Sequence, residues 1–131
     1  MKKFNKVFLM VLVVLMVLAP ACKTVDPDPI EQDDAQFVSV NSVVTARYDD
    51  FAHVSTTFVF RANVSAPTRL EGEAQIGEDN RLLGVDVPYT GQFTVVTETS
   101  HKFGTYNISG QVTLLSTGKV VVIPTTQFTV Q

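Results

Sequence analysis

Cysteine occurs once in these 131 residues, tryptophan not at all and histidine twice. A single thiol, Cys22, excludes an intramolecular disulfide and any cysteine-rich metal site. His53 and His101 are too few to build a zinc centre or a histidine-based catalytic unit by themselves. Positive charge is scarce as well: 10 Lys and Arg stand against 13 Asp and Glu, a net of −3. Lys2, Lys3 and Lys6 belong to the first 21 residues, which hold no acid, so the chain from Cys22 onward carries −6. That excludes the basic footprint with which a protein neutralises nucleic-acid phosphates. No Gly-x-Ser-x-Gly elbow and no phosphate-cradling glycine-rich loop occurs. These absences imply a chain that is not an enzyme and needs no cofactor or metal.

What is present begins with an address. Residues 1–6 are basic and residues 7–21 are apolar, ending in small residues and Pro20. A spanning helix needs about 20 apolar residues, so the run is too short for an anchor and reads as a secretory signal peptide over 1–21. Ala19-Pro20-Ala21-Cys22 resembles the lipobox of bacterial lipoproteins. The resemblance implies cleavage before Cys22 and acylation of that cysteine by palmitate-type chains, which would hold the protein at the cell membrane or outer membrane. Each buried CH₂ of such chains contributes about 0.8 kcal/mol. Ala19-x-Ala21 also satisfies ordinary signal-peptide cleavage, which gives the same cut without lipid.

Residues 22–35 read as a tether. Asp26, Asp28, Glu31, Asp33 and Asp34 are acidic, and Pro27 and Pro29 oppose helix and central strand. Like charge and low hydrophobicity give a solvated spacer reaching roughly 40 Å at about 3.3 Å per residue. Calcium binding and a surface-export signal are the alternative roles of these acids.

Residues 36–131 alternate apolar and polar side chains with period 2. The first strand, 37–46, places Val38, Val40, Val44 and Ala46 on one face. Val54, Phe58, Phe60 and Val64 line the second. Leu70, Gly72, Ala74 and Ile76 alternate with Glu71, Glu73 and Gln75 in the third. Leu83, Val85 and Val87 mark the fourth, and Phe93, Val95 and Thr97 the fifth. Tyr106, Ile108, Val112 and Leu114 line the sixth, and 120–130 is a seventh interrupted by Pro124. Turn residues separate them at 48–50, 66–67, 77–80, 88–91, 99–102 and 116–118.

Seven short strands at this spacing resemble an immunoglobulin-like domain. Gly104-Thr105-Tyr106 is similar to the motif that opens strand F there, which implies a tyrosine corner: the Tyr106 hydroxyl bonded to backbone near 99–102. The lack of tryptophan and of a disulfide separates the chain from antibody domains. The tight turn at 77–80 makes strands three and four a hairpin, as in fibronectin type III modules. The fold expected is therefore all-β, a seven-stranded immunoglobulin-like β-sandwich with sheets A-B-E and G-F-C-C′.

This topology gathers Asp49, Asp50, Glu78, Asp79, Asn80, His101 and Lys102 at the end remote from the tether. Calcium could use such oxygens, but no Asp-x-Asp-x-Asp loop is present. His53 and His101 read as solvated, His53 beside Asp50. The outward faces of strands three and six bring together Glu71, Glu73, Asn107, Ser109, Gln111 and Thr113, a surface that could recognise a protein or a glycan. The functional expectation is a lipid-anchored envelope module binding such a partner. A structural accessory of an envelope complex, with Val121, Ile123 and Val130 as an exposed apolar edge, and a protease inhibitor with a projecting loop are the alternatives.

Overall fold

The computed structural model describes residues 33–131; the signal peptide expected over 1–21, Cys22 and most of the expected tether lie outside the described residues. Seven strands follow in order: β1 (Asp34–Arg47), β2 (Phe51–Asn63), β3 (Thr68–Ile76), β4 (Asp79–Val87), β5 (Gly91–Lys102), β6 (Gly104–Leu114) and β7 (Lys119–Val130). They form two antiparallel sheets, β1-β2-β5 and β4-β3-β6-β7, arranged as a β-sandwich. The β3–β4 hairpin turns at Gly77, whose φ of 63° lies in the region where only glycine is unstrained. That tight turn puts β4 beside β3 and not in the other sheet.

The apolar side chains interdigitate between the sheets. Phe58 and Phe60 of β2 are fully buried against Leu70 and Ile76 of β3, Ile108 and Leu114 of β6 and Ile123 of β7. Each such side chain contributes about 1.5–3 kcal/mol by leaving water. A second, smaller cluster of Ala52, Val54 and Val130 closes the far end, with Tyr106 and Phe128 packed on it. Hydroxyls lie in the interior toward that end: Ser42 Oγ and Thr56 Oγ1 are 2.9 Å apart, and Thr97 stands opposite Thr56. Polar atoms at these inward positions interrupt the apolar packing and separate the two clusters.

Three sequence expectations need correction. Val38 points outward at 41% exposure and Phe37 packs on the core instead, because β1 bulges between Phe37 and Ser39 and shifts the alternation. The segment 99–102 is not a turn but the end of β5; the chain reverses at Phe103. Asp33, Asp34 and Ala35 are not free spacer. Ala35 is buried, and Asp34 begins β1.

The two acids fasten that end. Asp33 Oδ1 accepts hydrogen bonds from the backbone N–H and the hydroxyl of Ser65, both at 2.9 Å, and Oδ2 accepts from Ser116 at 3.1 Å. Asp34 accepts from its neighbour's N–H, Ala35, at 2.7 Å and pairs with Lys119. The β2–β3 and β6–β7 turns are thereby tied to the start of β1.

Sheet edges are protected unequally. β1 carries two bulges, and β7 carries one where Pro124 and Thr125 face Ser109, the proline sitting where no ladder donor is needed. β4 and β5 are regular but approach one another across the sandwich, and Arg81 Nε donates to the Glu98 carbonyl at 3.3 Å.

Candidate binding face

The β3–β6 register pairs Glu71 with Thr113, Glu73 with Gln111 and Gln75 with Ser109. Five of the six sequence-singled residues therefore form one contiguous patch on the outer face of the four-stranded sheet. Asn107 shares that face but lies beyond the end of β3, opposite Gln127 of β7. Outward side chains of neighbouring strands stand about 5 Å apart, so these groups present a continuous hydrogen-bonding surface.

Sequence reading missed what surrounds them. Gly84 stands opposite Glu71 on β4, and a Cβ there would come within 2.6 Å of the Arg69 guanidinium. The missing side chain lets Arg69 lie flat across the strand. Its Nε donates to Glu71 Oε1 at 2.7 Å and its Nη1 to Asp86 Oδ1 at 2.6 Å. Asp86 and Glu71 together hold the guanidinium pKa above its ordinary value. Exposed pairs of this kind add little stability, but two carboxylates fix the direction of one planar group.

Around this fork lies an open groove of about 790 Å³, with Glu73 and Thr113 along it and Leu82 and Leu115 at its sides. Leu82 is 80% exposed. On the other edge, Val120 and Val122 stand beside Thr113 and Gln111, also exposed. A signal for this existed: Leu82-Leu83 breaks the alternation, and only one of the two could face inward.

The far end has a different chemistry. His101 is buried, not solvated. Its ring lies 4.6 Å from that of Tyr106 and 5.6 Å from that of Phe128. Burial lowers its pKa, Asp79 opposing the shift and Arg81 adding to it. Tyr106 Oη donates to the Lys102 carbonyl at 2.6 Å, the backbone bond expected of it. His53 is exposed as expected, but its Nδ1 contacts Ser100 Oγ at 2.5 Å, not Asp50, and its ring stands edge-on to Tyr48 and Phe51. A serine–histidine contact needs a third group to orient the ring before it activates a nucleophile. Among the described residues His53 has no carboxylate partner. Glu78, Asp79, His101 and Lys102 share one cleft, while Asp50 belongs to the adjacent turn, its carbonyl accepting from Phe103 N–H at 3.4 Å. No group of three or more His, Cys, Asp or Glu side chains converges among the described residues.

No protein-family model matches the chain, and no curated protein does. Among solved structures it is similar to the Northeast Structural Genomics Consortium target SoR45, with a TM-score of 0.53 at 10% identity over 76% of this chain and 87% of that one. A protein from Archaeoglobus fulgidus aligns at 11% identity over 72% and 98% of the two chains, but its TM-score of 0.42 is too low to argue from. The first likeness concerns the fold alone.

Proposed function

We propose that the chain is a lipid-anchored, non-enzymatic module of the cell envelope, with an immunoglobulin-like domain whose outer four-stranded face binds a protein. The observation that carries the binding reading is that one sheet face combines a hydrogen-bonding centre, a groove and exposed Leu82, Leu115, Val120 and Val122. Isolated apolar residues are ordinary on a surface, but their grouping around polar centres is what interfaces have. A glycan is the weaker choice of partner because sugars stack on aromatic rings, and no aromatic side chain lies on the outward positions of this sheet. The anchor reading rests on the lipobox-like sequence before Cys22. The immunoglobulin-like reading is supported by the strand order and by the Tyr106–Lys102 bond.

The accessory reading loses its apolar edge, since Val121, Ile123 and Val130 are all buried. The inhibitor reading needs a projecting loop, and every connection among the described residues is a short turn.

Two measurements test the proposal. Intact mass and detergent partitioning should show acylated protein in the detergent phase, and Cys22→Ser should move it to the aqueous phase. A wild-type protein that is water-soluble with unmodified Cys22 would remove the anchor. Pulldown from a solubilised envelope should recover a partner that a Gln111→Arg, Thr113→Arg double variant loses; equal recovery would remove this face from the function.

A further inference from the structure

Resting on the reading of the outer sheet face as a binding surface, we infer that its groove takes a basic segment of a partner protein, one lysine or arginine flanked by apolar side chains. The inference comes from the charge and shape of the groove. Glu71, Glu73 and Asp86 lie at or beside it, against the single guanidinium of Arg69. Arg69 is committed to Glu71 and Asp86, leaving Glu73 without an ion pair or hydrogen bond among the described residues. The other cations of the two edge strands are turned away: Arg81 reaches the Glu98 carbonyl, and Lys119 pairs with Asp34. Three carboxylates against one guanidinium leave a local excess of negative charge with no further counter-ion among the described residues.

The walls decide what kind of cation fits. Leu82 and Leu115 are 80% and 52% exposed, so a simple metal ion or a free ammonium would leave them in water. An amino-acid segment covers them with its own apolar side chains while its cation meets Glu73. Lysine and arginine suit this because their methylene stems lie along apolar surface and their heads reach the charge. A second copy of this chain is a poor occupant. Face-to-face pairing about a two-fold axis would set the same carboxylates against each other, and the chain from Cys22 onward is net acidic.

The test uses the full chain in non-ionic detergent micelles, with binding read from backbone amide shifts. The probes are the acetylated, amidated pentapeptide Leu-Ser-Lys-Ser-Leu and its norleucine and glutamate counterparts in place of lysine. The lysine peptide should move the amides of Glu73, Leu82 and Thr113, bind more tightly than the other two, and weaken as salt is raised. Glu73→Lys should lower its affinity about tenfold, a loss of about 1.4 kcal/mol. The double variant Asn107→Lys, Gln127→Lys makes the same +2 change of charge on the same sheet face beyond the end of β3, and should change affinity far less. Absence of binding, equal binding of the lysine and norleucine peptides, or equal losses in the two variants would overturn the inference. If a neutral N-acetylglucosamine tetramer moved these amides and the peptide did not, the basic partner would be wrong and the face still right. Peptide-induced shifts confined to other surfaces would end both readings.

Discussion

The two ends of this sandwich are closed by different means. Where β1 begins, the larger core cluster lies beneath, and the turns above it are gathered by Asp33 and Asp34 through hydrogen bonds and an ion pair in solvent. At the far end the apolar cluster is small, and the closure is made by the packed rings of Tyr106, His101 and Phe128, with the Tyr106 hydroxyl bonded to the Lys102 carbonyl. The exposed clasp can be lost with little consequence, because water replaces each bond it breaks. The ring cluster cannot, because its members are themselves much of the packing at that end.

The sharpest break of this contrast lies in the larger cluster itself. Phe58→Ala removes a fully buried ring and should cost about 3–5 kcal/mol of unfolding free energy in a denaturant titration. A loss under about 1 kcal/mol would mean that the two sheets collapse onto the gap. At the far end, Tyr106→Phe keeps the ring and removes only the bond to Lys102, and should cost about 0.5–1.5 kcal/mol. An unchanged midpoint would show that the hydroxyl exchanges freely with water, and would take the tyrosine corner out of the fold's support.

The far end should also be the acid-sensitive one at mildly low pH. Burial depresses the pKa of His101 below its ordinary 6.5, so the unfolded chain takes the proton first. The contribution of neutral His101 is complete above about pH 6.5 and lost as pH falls through the folded value. Stability measured from pH 8 to 5 should decline, and His101→Phe should flatten that decline. An identical profile in the variant would place the sensitivity elsewhere.

The smallest effect belongs to the clasp. Hydrogen bonds from Ser65 hold the Asp33 carboxyl below its usual 3.8, and the bond from Lys119 does the same for Asp34. With folded values depressed, their contribution is present above pH 4 and disappears as pH drops through the folded range. Asp33→Asn should shift the midpoint less than Tyr106→Phe, and salt should reduce the Asp34–Lys119 contribution further. A larger loss than at Tyr106 would reverse the ranking of the two ends.

Much of the fold was legible from residue order. Leu70, Ala74 and Ile76 against Glu71, Glu73 and Gln75 alternate without interruption, and the face they define is the face observed. Val38 and the segment 99–102 were misread for opposite reasons. At Val38 the alternation continues through the sequence, but a bulge spends one residue and reverses the sides that follow. At 99–102 the residues Thr, Ser, His and Lys look like a turn. They continue β5 because the register with β2 persists to Phe51 opposite Lys102 and His101 finds rings to pack on. For the binding face, strand alternation was enough to group the polar residues. The Arg69 fork and the groove were not legible, since they depend on which residue of β4 stands beside Glu71.

The sequence by itself determined the number of strands, the inward sets of most of them and the outward polar face, because period-2 alternation is a property of the chain alone. It also holds the lipobox-like stretch Ala19-Pro20-Ala21-Cys22, with the single cysteine on which the proposed anchor rests. Only the tertiary structure decided that Gly84 makes room for Arg69, that Glu73 is left unpaired among the described residues, and that Asp33 and Asp34 belong to the domain. Those facts arise from contacts between strands and turns far apart in sequence. Local order carries no information about such neighbours until the register is set.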